Sequence, residues 1–88
     1  MKLIIAILRD TDNDPVSRSL TSAGFRVTYV ASTGGFWRRG QSTLLIGVED
    51  TQVDDALGVL RKNVTRPTDS DKSQTTIFVL KVDEFSQF

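Results

Sequence analysis

The chain has 88 residues, of which 39% are hydrophobic and 25% charged, and its 11 basic and 11 acidic side chains give a formal net charge of zero. This size predicts one small domain, and the balanced charge offers no general attraction for nucleic acid or for an anionic membrane. The sequence contains no histidine and no cysteine, which excludes disulfides, zinc–thiolate sites, thiol nucleophiles and the Ser-His-Asp triad. We therefore expect a protein that is not an enzyme, with no metal site and no cofactor.

Residues 3–8 form a continuous apolar run, which predicts a strand buried on both faces of a sheet. This run is too short for a signal peptide and continues into a polar stretch without a cleavage pattern, so we expect a cytoplasmic protein. The polar stretch, residues 9–14, predicts a turn that ends with Asp14 as a helix cap and Pro15 as the first helical residue. A calcium loop is the alternative for its acidic residues, but it lacks the glycine and the distal glutamate of an EF-hand, which favours capping.

The helix that follows is expected to end at Gly24, which can adopt the left-handed conformation, with Phe25 as a hydrophobic partner just beyond it. Its apolar stripe has the spacing i, i+4, i+7 and consists of Val16, Leu20 and Ala23. Alternating apolar and polar residues then predict two strands, over residues 25–31 and 43–48. These two strands are joined by a long hairpin loop over residues 32–42.

The hairpin loop combines hydroxyl, glycine, aromatic and arginine residues in close succession. They are Ser32, Thr33, Gly34, Gly35, Phe36, Trp37, Arg38 and Arg39. Glycine backbones can turn their N–H groups toward an anion and aromatic rings can stack on a base, so this combination would suit a nucleotide. The alternative is a flexible hairpin with a solvated arginine pair. A lone glycine pair is a weak signal, so the residue types alone slightly favour this second interpretation.

The second half of the chain predicts another helix and a last strand. Residues 49–51 cap a helix whose apolar stripe is Val53, Ala56, Leu57 and Leu60. A polar linker, residues 64–74, precedes an apolar strand over residues 75–82 and a tail at 83–88. The order β-α-β-β-α-β predicts an α+β ferredoxin-like sandwich with strand order 4-1-3-2, formed by a single domain that spans residues 1–88.

Two helices can cover only one face of such a four-stranded sheet, yet the first and last strands are apolar on both faces. The simplest cover for the second face is another copy of the chain. The less apolar strand residues form a polar spot on that face if they share it; they are Arg26, Thr28, Thr43 and Gly47. Such a spot beside an oligomer interface would suit a small ligand. Equally, Arg26 and Thr28 can be ordinary strand residues, and the pattern alone leaves both interpretations open.

Five segments carry more than a fold signal. They are MKLIIAIL at 1–8, GFRVT at 24–28, ASTGGF at 31–36, GQSTLLIGV at 40–48 and VDEFSQF at 82–88. Together they resemble the P-II-like cyclic-di-AMP receptor family of small bacterial signalling proteins, over residues 1–63 and 75–88. The resemblance implies a homotrimer with one cyclic dinucleotide in each cleft between neighbouring subunits. It also implies a signalling role with a downstream protein partner, which the sequence does not identify. The balanced charge predicts no nucleic-acid or membrane partner.

The resemblance further implies which residues bind the nucleotide. They are Arg26, Thr28, Gly35, Phe36, Gln41, Gly47, Phe78 and Gln87. Arg26 and Thr28 would reach the ligand from the second strand. Gly35 and Phe36 would provide loop backbone donors and a ring against an adenine. Phe78 and the C-terminal Gln87 would close the pocket from the neighbouring subunit.

The chain departs from the family pattern in the length of one loop and at Gln41, Trp37, which replaces a smaller aliphatic residue, and Gly24, which stands where asparagine is frequent. The loop at residues 64–74 is much shorter than is usual in the family, and Gln41 replaces an asparagine, which makes the amide one methylene longer. The alternative function is therefore a trimeric protein-interaction module that has lost or changed its nucleotide ligand. Such a module would bind its partner through Trp37, Arg38 and Arg39.

Overall fold

The computed structural model describes residues 1–33, 40–64, 75–84 and 86. Its elements are β1 (Lys2–Arg9), α1 (Asp10–Ser22), β2 (Arg26–Thr33), β3 (Gln41–Val48), a 3₁₀ turn (Asp50–Gln52), α2 (Val53–Asn63) and β4 (Thr76–Lys81). The four strands form one sheet in the order β2-β3-β1-β4, and every pair of neighbours is antiparallel. Read from the other edge this is the predicted order 4-1-3-2, so the ferredoxin-like α+β fold is confirmed.

The hydrophobic core lies between the two helices and one face of the sheet. Its fully or almost fully buried members are Ile4, Ala6, Leu8, Val16, Leu20, Leu44, Ile46, Val48, Ala56 and Leu60. The strand residues in this set alternate along β1 and β3, as expected when one face of each strand turns toward the helices. At the ends of the helices, the Ser19 hydroxyl donates to Asn63 Oδ1 at 3.0 Å, which ties the last residue of α2 to α1.

The first helix begins earlier than its sequence predicts. It starts at Asp10, so Asp14 is not its cap and Pro15 lies inside it. Contacts with the start of β3 account for this: the backbone N–H of Asp10 donates to the Gly40 carbonyl at 3.2 Å, and its carboxylate accepts a hydrogen bond from the Ser42 hydroxyl. These tertiary hydrogen bonds override the local capping signal, although Pro15 has no N–H for the intrahelical ladder.

The longer helix also changes which residues of α1 face the core. Its buried stripe is Asp12, Val16 and Leu20. Ala23, predicted to belong to this stripe, is exposed and forms the C-cap instead. The predicted helix end is confirmed, because Gly24 has φ +93° and the Phe25 N–H donates to the Leu20 carbonyl at 2.9 Å. Phe25 then packs against the core.

The second helix is preceded by a capping box between Glu49 and Gln52. The backbone N–H of Glu49 donates to Gln52 Oε1 at 3.1 Å, and the Glu49 side chain accepts from the backbone N–H of Gln52. This confirms a helix start at residues 49–51, where the first turn is 3₁₀. The predicted apolar stripe is also confirmed, with Ala56 and Leu60 fully buried and Leu57 packed at the edge of the core.

Candidate functional site

The face of the sheet that the helices leave open can be read directly from the strand register. Residues directly opposite each other on antiparallel strands project to the same face. One row across this face consists of Arg26, Gly47, Leu3 and Leu80. The next row consists of Thr28, Leu45, Ile5 and Phe78. The structure therefore places Arg26, Thr28 and Gly47 side by side at one corner of the open face, with Thr43 further along β3.

A concavity of about 640 Å³ occupies this corner. Its lining includes three of the residues that the resemblance singled out, Arg26, Thr28 and Gly47. Its volume lies within the range of small-molecule pockets, which runs from roughly 300 to 1,000 Å³. The open face thus carries a ligand-sized site on the polar end of an otherwise apolar surface.

The concavity also has walls that the sequence patterns did not indicate. They include Met1, Lys2, Leu45, Gln52 and Ser86. Lys2 and Met1 begin the chain, and Gln52 belongs to the turn before α2, so only the fold brings them next to β2. The spacing from residue 49 to residue 52 resembles a capping box, but it carries no sign of a binding role.

Gly47 forms a low part of the floor, partly covered by the side chain of Met1. A Cβ atom added at Gly47 would lie 3.4 Å from Met1 Cε, which is ordinary van der Waals contact with the flexible end of that side chain. The backbone at Gly47 does not have positive φ, because Gly24 alone does among the glycines that the structure describes. The glycine is therefore not required by the local backbone conformation, and its effect here is to leave room above the sheet.

Charged groups of both signs lie around this corner. The ammonium group of Met1 lies 3.0 Å from the Asp50 carboxylate. Its hydrogen bond and its charge lower the pKa of Asp50, and Lys2 and Lys81 lower that pKa further. Asp50 therefore stays ionised at neutral pH, at the outer side of this end of the sheet. Within the concavity, Arg26 carries donors only, which suits phosphate oxygens.

Two of the other predicted site residues, Phe78 and Gln41, lie away from this corner. Phe78 lies in the same row as Thr28 but three strand spacings away, about 14 Å, and 51% of it is exposed. Gln41 lies six residues from Gly47 along β3, about 20 Å. Gly35, Phe36 and Gln87 lie outside the described residues, as do Trp37, Arg38 and Arg39 of the alternative interaction surface.

The position of Gln41 is defined by its two neighbours in the chain. Ser42 is buried on the helix side of β3 and donates to the Asp10 carboxylate, while the Gly40 carbonyl accepts from the Asp10 backbone. Because successive side chains of a strand alternate, Gln41 projects from the open face at the opposite end from Arg26. The start of α1 thus holds the base of the hairpin loop.

Two further properties concern the part of the chain that the structure describes. Within residues 1–33, 40–64, 75–84 and 86, no group of three or more Asp or Glu side chains could hold a metal ion. Within the same ranges no helix is long and apolar enough to cross a membrane. The fold is that of a small ferredoxin-like protein, with a ligand-sized concavity on the open face of its sheet.

Comparisons with known proteins identify the family. The family model described as cyclic-di-AMP receptor matches residues 1–70 of the 88. The chain therefore belongs to the cyclic-di-AMP receptor family, and the resemblance found in the sequence is confirmed. The family supports a nucleotide-binding signalling role and a binding protein rather than an enzyme. The chain is also similar to a solved structure, that of a functionally unknown protein from Pediococcus pentosaceus ATCC 25745. That similarity has a TM-score of 0.79 and 32% sequence identity, and covers 99% of this chain and 96% of the other.

Proposed function

We propose that this protein is a cytoplasmic, non-enzymatic signal-transduction receptor that binds cyclic-di-AMP at the subunit interfaces of a homotrimer. The observation that carries the proposal is the meeting of Arg26, Thr28 and Gly47 in one ligand-sized concavity on the open face of the sheet. A cyclic dinucleotide presents two phosphates and two bases, so its site needs cationic or hydroxyl donors and space for flat rings. This corner offers both.

Each of the three residues has a distinct part in the proposed site. Arg26 and Thr28 are one strand period apart, so both leave the same face and can meet one ligand. The guanidinium of Arg26 provides charge-assisted hydrogen bonds to a phosphate, and the Thr28 hydroxyl provides a shorter donor beside it. Gly47, directly opposite Arg26, leaves the floor low enough for a base to lie close to the sheet when the flexible Met1 side chain moves aside.

The separation of the other predicted residues supports a site shared between subunits. Thr28 and Phe78 of the same chain are three strand spacings apart, about 14 Å, and Gln41 lies at the far end of β3. In a cyclic trimer each subunit meets its neighbour through two different surfaces. The β4 side of one copy can then lie beside the β2 side of the next, which would bring a second Phe78 to the ligand.

The apolar character of the open face also supports the trimer. Leu3, Ile5 and Leu45 are only half-buried there, and Phe78 and Leu80 are 51% and 46% exposed. These residues are contiguous in the register of β3, β1 and β4. A contiguous exposed apolar patch on a sheet is typical of an interaction surface. Other copies of the chain would cover it and would enclose the polar corner at its margin.

The test is isothermal titration calorimetry with cyclic-di-AMP, cyclic-di-GMP and linear diadenylate, combined with light scattering for the oligomeric state. We expect a trimer that binds cyclic-di-AMP with one ligand per subunit. Arg26→Ala should reduce the binding free energy by about 1.5–3 kcal/mol, the usual range for a hydrogen bond to a charged group. Arg18→Ala is the matched control, because Arg18 is an exposed arginine on the helix side of the molecule. A folded trimer that binds none of these nucleotides would favour the interaction module instead.

A further inference from the structure

We propose that Gln52 determines base specificity in this site, by donating a hydrogen bond from its side-chain nitrogen to the Watson–Crick edge of an adenine. The inference rests on the proposed function, because it needs a nucleotide in the concavity. Gln52 lines the same concavity as Arg26 and Gly47, on the wall formed by the 3₁₀ turn before α2. It is therefore placed to contact the ligand from outside the sheet.

The orientation of the Gln52 amide is set by the protein itself. The backbone N–H of Glu49 donates to Gln52 Oε1 at 3.1 Å. A backbone N–H can only donate, so the atom facing it must be the oxygen of the amide. Rotating the amide by 180° would place two donors against each other and would break the capping box at the start of the helix. The nitrogen, which can only donate, is consequently the end that remains for a ligand.

A donor of fixed polarity distinguishes adenine from guanine at one edge of the base. The N1 atom of adenine accepts a hydrogen bond, whereas the N1 atom of guanine carries a hydrogen and donates. A free glutamine could adapt to both by rotating its amide. Gln52 cannot do so without losing its hydrogen bond to Glu49. A guanine in this position would therefore place its N1–H donor against the donor nitrogen of Gln52. Because the amide is already held in place, little side-chain freedom is lost when the ligand binds.

The decisive variant is Gln52→Glu. Glutamate keeps an oxygen for the Glu49 N–H, since Glu and Gln serve equally at this capping position, but it replaces the donor by an acceptor. We expect the dissociation constant for cyclic-di-AMP to rise about tenfold, while that for cyclic-di-GMP does not rise. The melting temperature should stay close to that of the wild type. Thr51→Glu is the matched control: it adds the same charge at the neighbouring exposed position, which does not line the concavity.

A second variant separates loss of the donor from repulsion by the new charge. Gln52→Met is similar in size and uncharged, and it lacks both the donor and the capping oxygen. It should weaken cyclic-di-AMP binding about tenfold as well, and it should lower the melting temperature. Both variants are compared with the wild type by calorimetry, with cyclic-di-AMP and cyclic-di-GMP as the probes.

The outcomes distinguish this inference from the function on which it rests. If the wild type binds cyclic-di-AMP and Gln52→Glu leaves the ratio of the two dissociation constants unchanged, the role of Gln52 is refuted and the receptor function stands. Equal losses for both nucleotides, or the same loss in Thr51→Glu, would also refute it, because they indicate charge rather than base recognition. A wild type that binds neither nucleotide overturns both proposals.

Discussion

Replacing Gly47 by alanine should make the protein more stable and a weaker receptor at the same time. The added methyl group would lie 3.4 Å from Met1 Cε, an ordinary contact with the flexible end of a residue that is 41% exposed. The backbone there does not need glycine, since Gly24 is the one glycine with positive φ in the described part of the chain. Glycine inside a strand costs about 0.5–1 kcal/mol relative to alanine. The melting temperature should therefore rise by about 2–8 °C for a domain of this size.

Binding should change in the opposite direction. The new methyl group would stand on the floor of the concavity between Arg26 and Leu3, where we propose that a base approaches the sheet. One extra methyl in a close-packed contact costs about 1–3 kcal/mol. This corresponds to a dissociation constant for cyclic-di-AMP that is about five- to 160-fold higher. Thermal melting followed by circular dichroism and calorimetric titration measure the two effects on the same sample.

Gly58→Ala provides the matched control for this prediction. Gly58 lies in α2, on the helix side of the molecule, and an added Cβ atom there would meet nothing within 4 Å. It should raise stability by about 1 kcal/mol through helix propensity alone, with no change in ligand affinity. If Gly47→Ala binds as tightly as Gly58→Ala, no ligand approaches the floor of the concavity. If Gly47→Ala is destabilised, the claim that the local backbone does not require glycine is wrong.

Two further predictions concern the core and the hairpin loop. Leu60→Ala removes a fully buried side chain and should lower the free energy of unfolding, measured by urea titration, by about 2–5 kcal/mol. Leu57 is only partly buried, so Leu57→Ala should cause a smaller loss. Equal losses would contradict the observed packing. Phe36→Ala should weaken nucleotide binding by about 1–3 kcal/mol if the ring stacks on a base. An unchanged affinity at an unchanged melting temperature would transfer that role to Trp37.

The sequence predicts most of the fold because local pattern and tertiary structure agree along most of the chain. The strands alternate or are continuously apolar, and the stripe of α2 has helical spacing, so their positions follow from periodicity. The start of α1 is the exception. Asp14 and Pro15 form a good local signal for a helix start, but the contacts of Asp10 with Gly40 and Ser42 join residues thirty positions apart. No local pattern can reveal such a contact, and it decides where the helix begins.

The candidate site shows the same division between local and long-range information. Arg26 and Thr28 share a face because they are two residues apart, which the sequence already implies. That Gly47 lies opposite Arg26 depends on the register between β2 and β3. The wall formed by Lys2 and Gln52 depends on the whole topology, because these residues belong to the first strand and to the turn before α2. The sequence therefore predicts the strand part of the concavity and not its outer wall.

The distance between Arg26 and Gln41 leads to a test of whether the site is shared between subunits. The two residues lie at opposite ends of the open face. Arg26 is paired with Gly47, and Gly47 is six residues from Gln41 along β3. In the proposed shared site, the Arg26 and the Gln41 that contact one nucleotide come from different copies of the chain. Arg26→Ala and Gln41→Ala should each abolish most binding when present in every subunit. Mixed trimers, made by refolding the two variants together in equal amounts, should regain binding at about a quarter of their interfaces, where an intact Arg26 meets an intact Gln41 of the next subunit.

That fraction follows from chance assembly alone. Each interface needs an intact Arg26 from one subunit and an intact Gln41 from the next. In an equal mixture of the two variants, each of these conditions is met with a probability of one half. Calorimetry of the mixed sample should therefore give a stoichiometry near a quarter of the wild-type value with close to wild-type affinity. Mixing the folded trimers without unfolding is the control, and it should restore nothing until subunits exchange. If refolded mixtures bind no more than the separate variants, the two residues act within one chain or not on the same ligand. A site shared through Arg26 and Gln41 would then be refuted, since these variants can restore a site only where two chains complete each other.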